Sequence, residues 1–393
     1  MLWTGQGCTS LSLWMDQVAR GWLLYDLTSS PWQLGLMRGL QALPLLCLSP
    51  IAGSAADRYD RKLQIIVSQV LEAILYAIMA ALIVSGLIQP WHIYVTAFIE
   101  GAISTFQQPA RTAMIADSVP HEHLTNAVAL GSVLFNVSRM VGPALAGLLI
   151  ATVGIAASYL AQSFLQGLAT VLTVPLPASL RFASGTTARH RRTESFTRSM
   201  IEGWTFSRKD PTVRACLAIT GSAAFFIIPF TTLLPVIARD VLEVGAQGQG
   251  LLLTGMGVGA FCSAVLVASM GHRLHRGLFM LVGVTLYGLS VAAFSTSHWF
   301  PLSVALMVVV GLFHVSSHTV VQTVVQTYTP SEFRGRTSAI LQQAHVITLF
   351  GSLIFGALGT AAGAPTAIAI MAGAGALSSV AIATLVPAAR RIR

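Results

Sequence analysis

Asp16 and Arg20 stand four residues apart in an otherwise apolar stretch, so on a helix they share one face. A charge near the middle of a bilayer costs at least ~2.5–3.5 kcal/mol, so each must face a partner or a wet cavity. Two readings stay open: a proton or substrate site, and a self-neutralising structural pair. Glu100 has no basic residue within a helical turn, and Gly101 beside it lets another backbone approach. Carboxylic acids removed from water favour the neutral form. Glu100 therefore reads as a protonation switch or as a neutral, hydrogen-bonded core glutamate. Glu72 reads as a packing or interface residue. Arg139 precedes Gly142-Pro143 by three residues, and Gly147 follows. The glycines permit close helix contact, while the proline frees a carbonyl and favours a kink.

Two further groups carry potential chemistry. Gly53, Asp57, Arg58, Asp60, Arg61 and Lys62 fall within ten residues. Carboxylates and bases at a helix end can pair with neighbouring termini in one conformational state and release them in another, which makes a gate. The bland alternative is that these charges only set topology, but orientation needs bases and not the two acids. His314, His318, Gln322 and Gln326 recur every fourth residue and form one polar stripe on a valine-rich segment. The stripe lines a cavity or packs against another helix. Metal binding by two histidines is disfavoured because no carboxylate lies nearby on that helix. Phe225, Phe226 and Phe230 offer an apolar wall or ordinary packing.

The elements that must position these residues follow from composition. Of 393 residues, 54% are hydrophobic and only 9% are charged, where a soluble domain carries about 25% charged. Mean hydropathy is +0.72. A disordered chain, a coiled coil and an ordinary cytosolic enzyme are excluded, which leaves a polytopic membrane protein. Cys8, Cys47, Cys216 and Cys262 all lie in apolar stretches without CxxC spacing, so they read as small core residues. Neither a basic n-region nor an A-x-A site marks a cleavable signal, and apolar sequence beginning at Leu2 suggests a missing or trimmed cytoplasmic leader.

A helix needs about 20 apolar residues to cross the hydrocarbon core. That ruler gives twelve candidates. Six fall at 3–26, 33–56, 64–86, 91–115, 125–151 and 155–176. Six more fall at 211–237, 247–270, 278–296, 301–327, 337–361 and 366–387. The apolar runs lack the alternation of a membrane barrel, so the fold class is all-α. Of the 23 Lys and Arg residues, 18 lie in the loop between spans 2 and 3, the central segment, the 8–9 and 10–11 loops, and the tail. Only Arg239 lies in the opposite loops, while Arg20, Arg38, Arg111 and Arg139 sit in or at the edge of spans. The positive-inside rule then places both termini in the cytoplasm. The net charge of +9 thus reflects topology and not a nucleic-acid partner.

The chain also repeats itself. Asp57-Arg58-Tyr59-Asp60-Arg61-Lys62 is echoed about 215 residues later by His272-Arg273-Leu274-His275-Arg276-Gly277. Val119-Pro120-His121-Glu122 is echoed about 210 residues later by Thr329-Pro330-Ser331-Glu332. The expectation is two parallel six-helix halves, 1–176 and 210–393, joined by a basic cytoplasmic linker at 177–209. Within the linker, Met200, Ile201, Trp204 and Phe206 interleave with Arg198, Arg208 and Lys209, which suits a short helix lying on anionic headgroups.

Gly53-x-x-Ala56-Asp57-Arg58-x-Asp60-Arg61-Lys62 resembles the loop 2–3 signature of the major facilitator superfamily, G-x-x-x-D-R-x-G-R-K, with Asp60 in place of glycine. Trp14 to Pro31, Gln108-Pro109-Ala110-Arg111 and Asn136-x-x-Arg139-x-x-Gly142-Pro143-x-x-x-Gly147 resemble its enterobactin-exporter-like and macrolide-efflux-like branch. The resemblance covers essentially the whole chain. It implies alternating access and, commonly, proton-driven export of small amphipathic molecules. It also implies a span 5 Gly-Pro motif that seals the cavity in antiporters. Many superfamily antiporters carry an arginine where this chain has Ala97.

The function expected is therefore a secondary active exporter, an antiporter in the cell membrane, acting as a monomer on a small siderophore- or drug-like molecule. The alternative is a sugar or metabolite importer or facilitator on the same fold. A polytopic membrane enzyme would need a convergent catalytic constellation, and none is present in the sequence; no P-loop marks ATP as energy source. No cofactor, metal or nucleic acid is expected; the partners are substrate, protons and the lipid bilayer.

Overall fold

A computed structural model describes residues 2–176, 196–270, 275–330, 333–343, 346–386 and 390. The described residues form helices and no strands. They divide into two compact units, one of residues 1–185 with 238–254 and one of residues 186–237 with 255–393.

The first unit contains α1 (Leu2–Thr28), α2 (Pro31–Arg58), α3 (Arg61–Val84), α4 (Pro90–Asp117), α5 (Leu124–Thr152) and α6 (Ile155–Thr173). Pro31 and Pro90 occupy first-turn positions, where a missing N–H costs nothing. Asp60 caps α3, its carboxylate accepting from the Leu63 amide at 2.9 Å. α1 packs on α5 and α6, α2 on α4, and α3 on α4 and α6. The α2–α4 contact is tight at Gly101, where a Cβ would fall 2.0 Å from the Gln41 carbonyl oxygen.

α7 (Phe196–Lys209) opens the described part of the second unit. α8 (Pro211–Phe226) follows, capped by Asp210, which accepts from the Thr212 and Val213 amides. The span expected over 211–237 falls in one membrane-length stretch, Pro211–Val241, whose helix is not regular throughout. The chain passes into a 3₁₀ turn at Ile228–Leu233, a short α9 at Leu234–Val236 and a π turn at Ile237–Val241. Pro229 and Pro235 each remove a ladder donor, which accounts for the break. α10 (Gly245–Met270), α11 (Arg276–Ser295), α12 (Phe300–Tyr328), α13 (Arg334–Gln343), α14 (Ile347–Ala362) and α15 (Ala364–Leu385) complete the order. The segment expected as a span over 337–361 is described in α13 and α14, with residues 344 and 345 outside the described residues.

A close approach recurs at the repeat spacing. In the second unit a Cβ on Gly311 would fall 1.9 Å from the Met256 carbonyl oxygen. Gly311 and Met256 stand 210 and 215 residues after Gly101 and Gln41.

Nine helical stretches of the described residues are long and apolar enough to cross a membrane. α14 falls short at 16 residues. α1 and α4 have the length but not the apolar composition, because they carry Asp16, Arg20, Glu100 and Arg111.

Candidate functional site

Helix α1 buries Asp16 and Arg20 completely, at 0% exposure each. The Arg20 Nε donates to Asp16 Oδ2 at 2.8 Å. Arg20 also reaches α4, its Nη1 donating to Thr96 Oγ1 at 3.2 Å. Asp16 Oδ1 and Arg20 Nη2 have no protein partner among the described residues. The pair neutralises itself yet keeps one donor and one acceptor open.

Glu100 is buried on α4 and accepts from the Gln41 amide of α2 at 2.6 Å. Gln41 in turn accepts at its Oε1 from Arg38 Nη1 at 2.9 Å. A second Arg38 nitrogen donates to the Gln17 carbonyl of α1 at 3.3 Å. Arg38 of α2 is thus linked to Glu100 through the Gln41 amide. Arg20 lies within electrostatic range of Glu100. Asp16, Arg20 and Glu100 therefore come together, whereas Arg139 sits 5.2 Å above the Trp14 ring.

The first unit also contains a cavity of about 120 Å³, lined by residues including Gln6, Ser10, Glu72, Glu100, Arg111 and Gln166. Glu72, expected as a packing residue, is buried and accepts from the Gln166 amide of α6. Sequence reasoning missed Gln41, Thr96 and Gln166, because neutral polar residues on separate helices carry no local spacing signal. Every fully buried Asp, Glu, Lys or Arg among the described residues, Asp16, Arg20, Glu72, Glu100 and Arg139, lies in the first unit.

Around the α2–α3 turn, Arg61 pairs with Asp117 at the end of α4 and donates to the Ala56 carbonyl at 3.1 Å. Asp60 spends its carboxylate on the cap described above. Arg58 and Asp60 are exposed and Lys62 is half-buried. A Cβ on Gly53 would meet nothing within 4 Å, so close packing does not explain that glycine. The side chain of Asp57 lies outside the described residues, as do Arg181, Arg189, Arg191, Arg192, Arg273, Arg391 and Arg393.

On α5, Gly142 faces α1, where a Cβ would fall 2.7 Å from the Trp14 Cβ. A Cβ on Gly147 would lie 2.7 Å from the Ala246 carbonyl, and one on Gly250 would lie 2.4 Å from the Pro143 carbonyl. That carbonyl marks the proline's place in an otherwise continuous helix. Arg239, the lone base expected in the opposite loops, pairs with Asp26 at 3.2 Å and lies over the Tyr25 ring. Tyr25 in turn donates to Asp240.

The polar stripe of α12 is not uniform. His314 stacks on Tyr287 of α11 with ring centres 5.0 Å apart. His318 and Gln322 are half-buried, and Gln326 is exposed. Phe230 is buried against Phe294, while Phe225 and Phe226 pack edge to face. No group of three metal-ligating side chains occurs among the described residues. In α7, Phe206 stacks on Phe333 and Glu202 accepts from Arg336 at 2.8 Å, while Trp204 is exposed.

A family model described as "Transmembrane secretion effector" matches residues 1–391. The chain is 26% identical over 337 residues to the enterobactin exporter of Escherichia coli O1:K1, covering 85% of this chain and 78% of that protein. It is 24% identical over 361 residues to macrolide efflux protein A of Streptococcus pyogenes, covering 90% and 88%. Among solved structures, a bacterial homologue of the human lysosomal transporter Spinster matches with a TM-score of 0.76 at 14% identity, covering 100% of this chain and 96% of that one. That likeness concerns the fold. The match over nearly the whole chain, together with transporter relatives and a set of apolar helices built around a few buried charges, decides the class: the chain belongs to the transmembrane secretion effector family of the major facilitator superfamily, a multi-pass membrane transporter of small molecules and not an enzyme.

Proposed function

We propose that this transporter is a proton-coupled exporter, an antiporter that moves a small amphipathic molecule outward against proton entry. The observation that carries the reading is the confinement of the buried charges, among the described residues, to the first unit, where Asp16, Arg20 and Glu100 meet. Buried ionisable groups within a membrane mark ion pathways more often than scaffolding, because each is costly to insert. Glu100 accepts one amide hydrogen bond and has no direct ion pair among the described residues, so its protonation breaks no salt bridge. Export is supported by relatives whose names are exporter and efflux protein. No observation favours the importer or facilitator reading.

In this account the chain crosses the bacterial cell membrane twelve times, in two six-helix halves at 1–176 and 210–393, with both termini cytoplasmic. The charged α2–α3 turn closes the cytoplasmic side in one state, and the Gly142-Pro143-Gly147 segment limits leakage through the cavity. His318 and Gln322 line the cargo path. The protein works as a monomer with no nucleic-acid partner.

The test is uphill uptake into inside-out proteoliposomes with an acidic interior, using enterobactin and erythromycin as trial cargoes. Wild-type protein accumulates at least one cargo, and Asp16→Asn and Glu100→Gln each abolish accumulation while the protein level stays constant. Accumulation that persists without a proton gradient would contradict coupling.

A further inference from the structure

We propose that the polar cavity of the first unit is a second protonation site, in which a short chain of water molecules passes a proton between Glu100 and Glu72, with Gln166 holding Glu72 in place. The inference rests on the proton-coupled reading of Glu100 and adds a carboxylate that the sequence marked only as packing.

The size of the cavity decides what it holds. At about 120 Å³ it falls well below the ~300–1,000 Å³ of sites that take drug-sized ligands. It is well above the ~10–15 Å³ of probe volume one water needs, so the cavity accommodates several waters. That is enough to bridge two carboxylates and too little for an amphipathic cargo.

Its lining supplies the partners. Glu72 and Glu100 both border it, at 5% and 3% exposure. Gln166 is 1% exposed, gives its amide to Glu72, and leaves its Oε1 without a protein partner among the described residues. Gln6 Oε1 and Arg111 Nη2, on the same cavity, are also without one. Unpaired buried acceptors and a donor around a polar cavity are the pattern that holds ordered water. The charged groups near Glu100 are Arg20, Asp16 and Arg38, and those near Glu72 are Glu100, Arg111 and Asp16. Gln107 of α4 is the remaining polar neighbour of Glu72.

The step balances simply. The O–H bond of the Glu100 acid breaks, a proton moves along the waters, and an O–H bond forms on a Glu72 oxygen. Glu100 is left ionised, facing Gln41 and the α1–α2 guanidiniums. The negative charge moves from the Arg20/Arg38 side to the Arg111 side or back, so neither end holds an uncompensated pair of acids.

The test needs no cargo. Purified full-length protein in nanodiscs is titrated with acid while the infrared carbonyl bands of protonated carboxyl groups are followed, in H₂O and in D₂O. Two components are expected, one lost in Glu72→Gln and one lost in Glu100→Gln, each shifting promptly on transfer to D₂O. Removing either acid is expected to move the titration midpoint of the other by about one pH unit, as coupled sites do. A cavity-filling Ser104→Val, which spares both carboxyl groups, is expected to slow the deuterium shift of the Glu72 component at least tenfold. A Glu72 component that neither titrates nor exchanges would overturn the proposal, as would prompt exchange in Ser104→Val. Sodium ions displacing the proton from Glu72 would replace the proton assignment with a cation site. Export coupling is read separately in vesicles, so it can stand where this inference fails.

Discussion

Gln41 donates to Glu100 across the α2–α4 contact at 2.6 Å, at the point where Gly101 allows the two backbones to touch. The close approach and the hydrogen bond belong together, since a wider gap would leave the carboxylate without its amide. In the second unit the same approach recurs between Gly311 and Met256, and the thioether there offers no comparable donor. The packing is repeated while the buried charges, among the described residues, lie in the first unit.

Gly101→Ala is expected to destabilise the protein by about 1–3 kcal/mol, because the new methyl meets backbone that cannot yield. Gly53→Ala, where a Cβ meets open space, is expected to leave thermal stability unchanged. Melting curves of the two variants in one detergent compare them directly. Equal losses would contradict the packing account.

Arg20→Gln strands the Asp16 carboxylate at a fully buried position, and loss of one partner of a buried pair costs about 3–5 kcal/mol. The double variant Asp16→Asn/Arg20→Gln is expected to recover part of that loss. A double-mutant cycle on unfolding checks it, and strictly additive losses would show that the two residues do not act as a pair.

The Arg61–Asp117 pair is partly solvated, with side chains 30% and 42% exposed. Arg61→Ala is therefore expected to cost less than about 1 kcal/mol in stability. As a gate residue it should nonetheless shift the balance between inward-open and outward-open states. Spin-label distances across the cytoplasmic ends, in Arg61→Ala and in Asp57→Asn, measure that balance. Unchanged distance distributions would reduce the cluster to topology-setting charges.

His314→Ala removes a ring stacked on Tyr287 and is expected to cost about 0.5–1.5 kcal/mol beyond lost area. Gln326→Ala, at an exposed position, is expected to stay within about 0.5 kcal/mol of wild type. Thermal shifts of the pair show whether the stripe is one functional surface or a packed end and a free end.

The helical class and most helix positions were legible because hydropathy and length act locally. The break after Phe226 was not read, although Pro229 and Pro235 are visible signals; an apolar run hides a broken helix when length alone is counted. Asp16, Arg20 and Glu100 were legible as buried charges, since their cost in a bilayer does not depend on the fold. Gln41, Arg38 and Gln166 were not, because their roles arise only when α2, α4 and α6 meet α1 and α3. For Glu72, read as a packing or interface residue, the partner Gln166 was not legible, since it lies 94 residues away.

Proton movement driven by cargo is the most direct test of the central claim. Inside-out proteoliposomes carrying a proton gradient and a pH-sensitive dye are challenged with enterobactin and, separately, erythromycin. The account predicts that a transported cargo partly collapses the gradient with wild-type protein and leaves it intact with Glu100→Gln. Cargo transport by wild-type protein with no change in the gradient, or an undiminished collapse with Glu100→Gln, would contradict it.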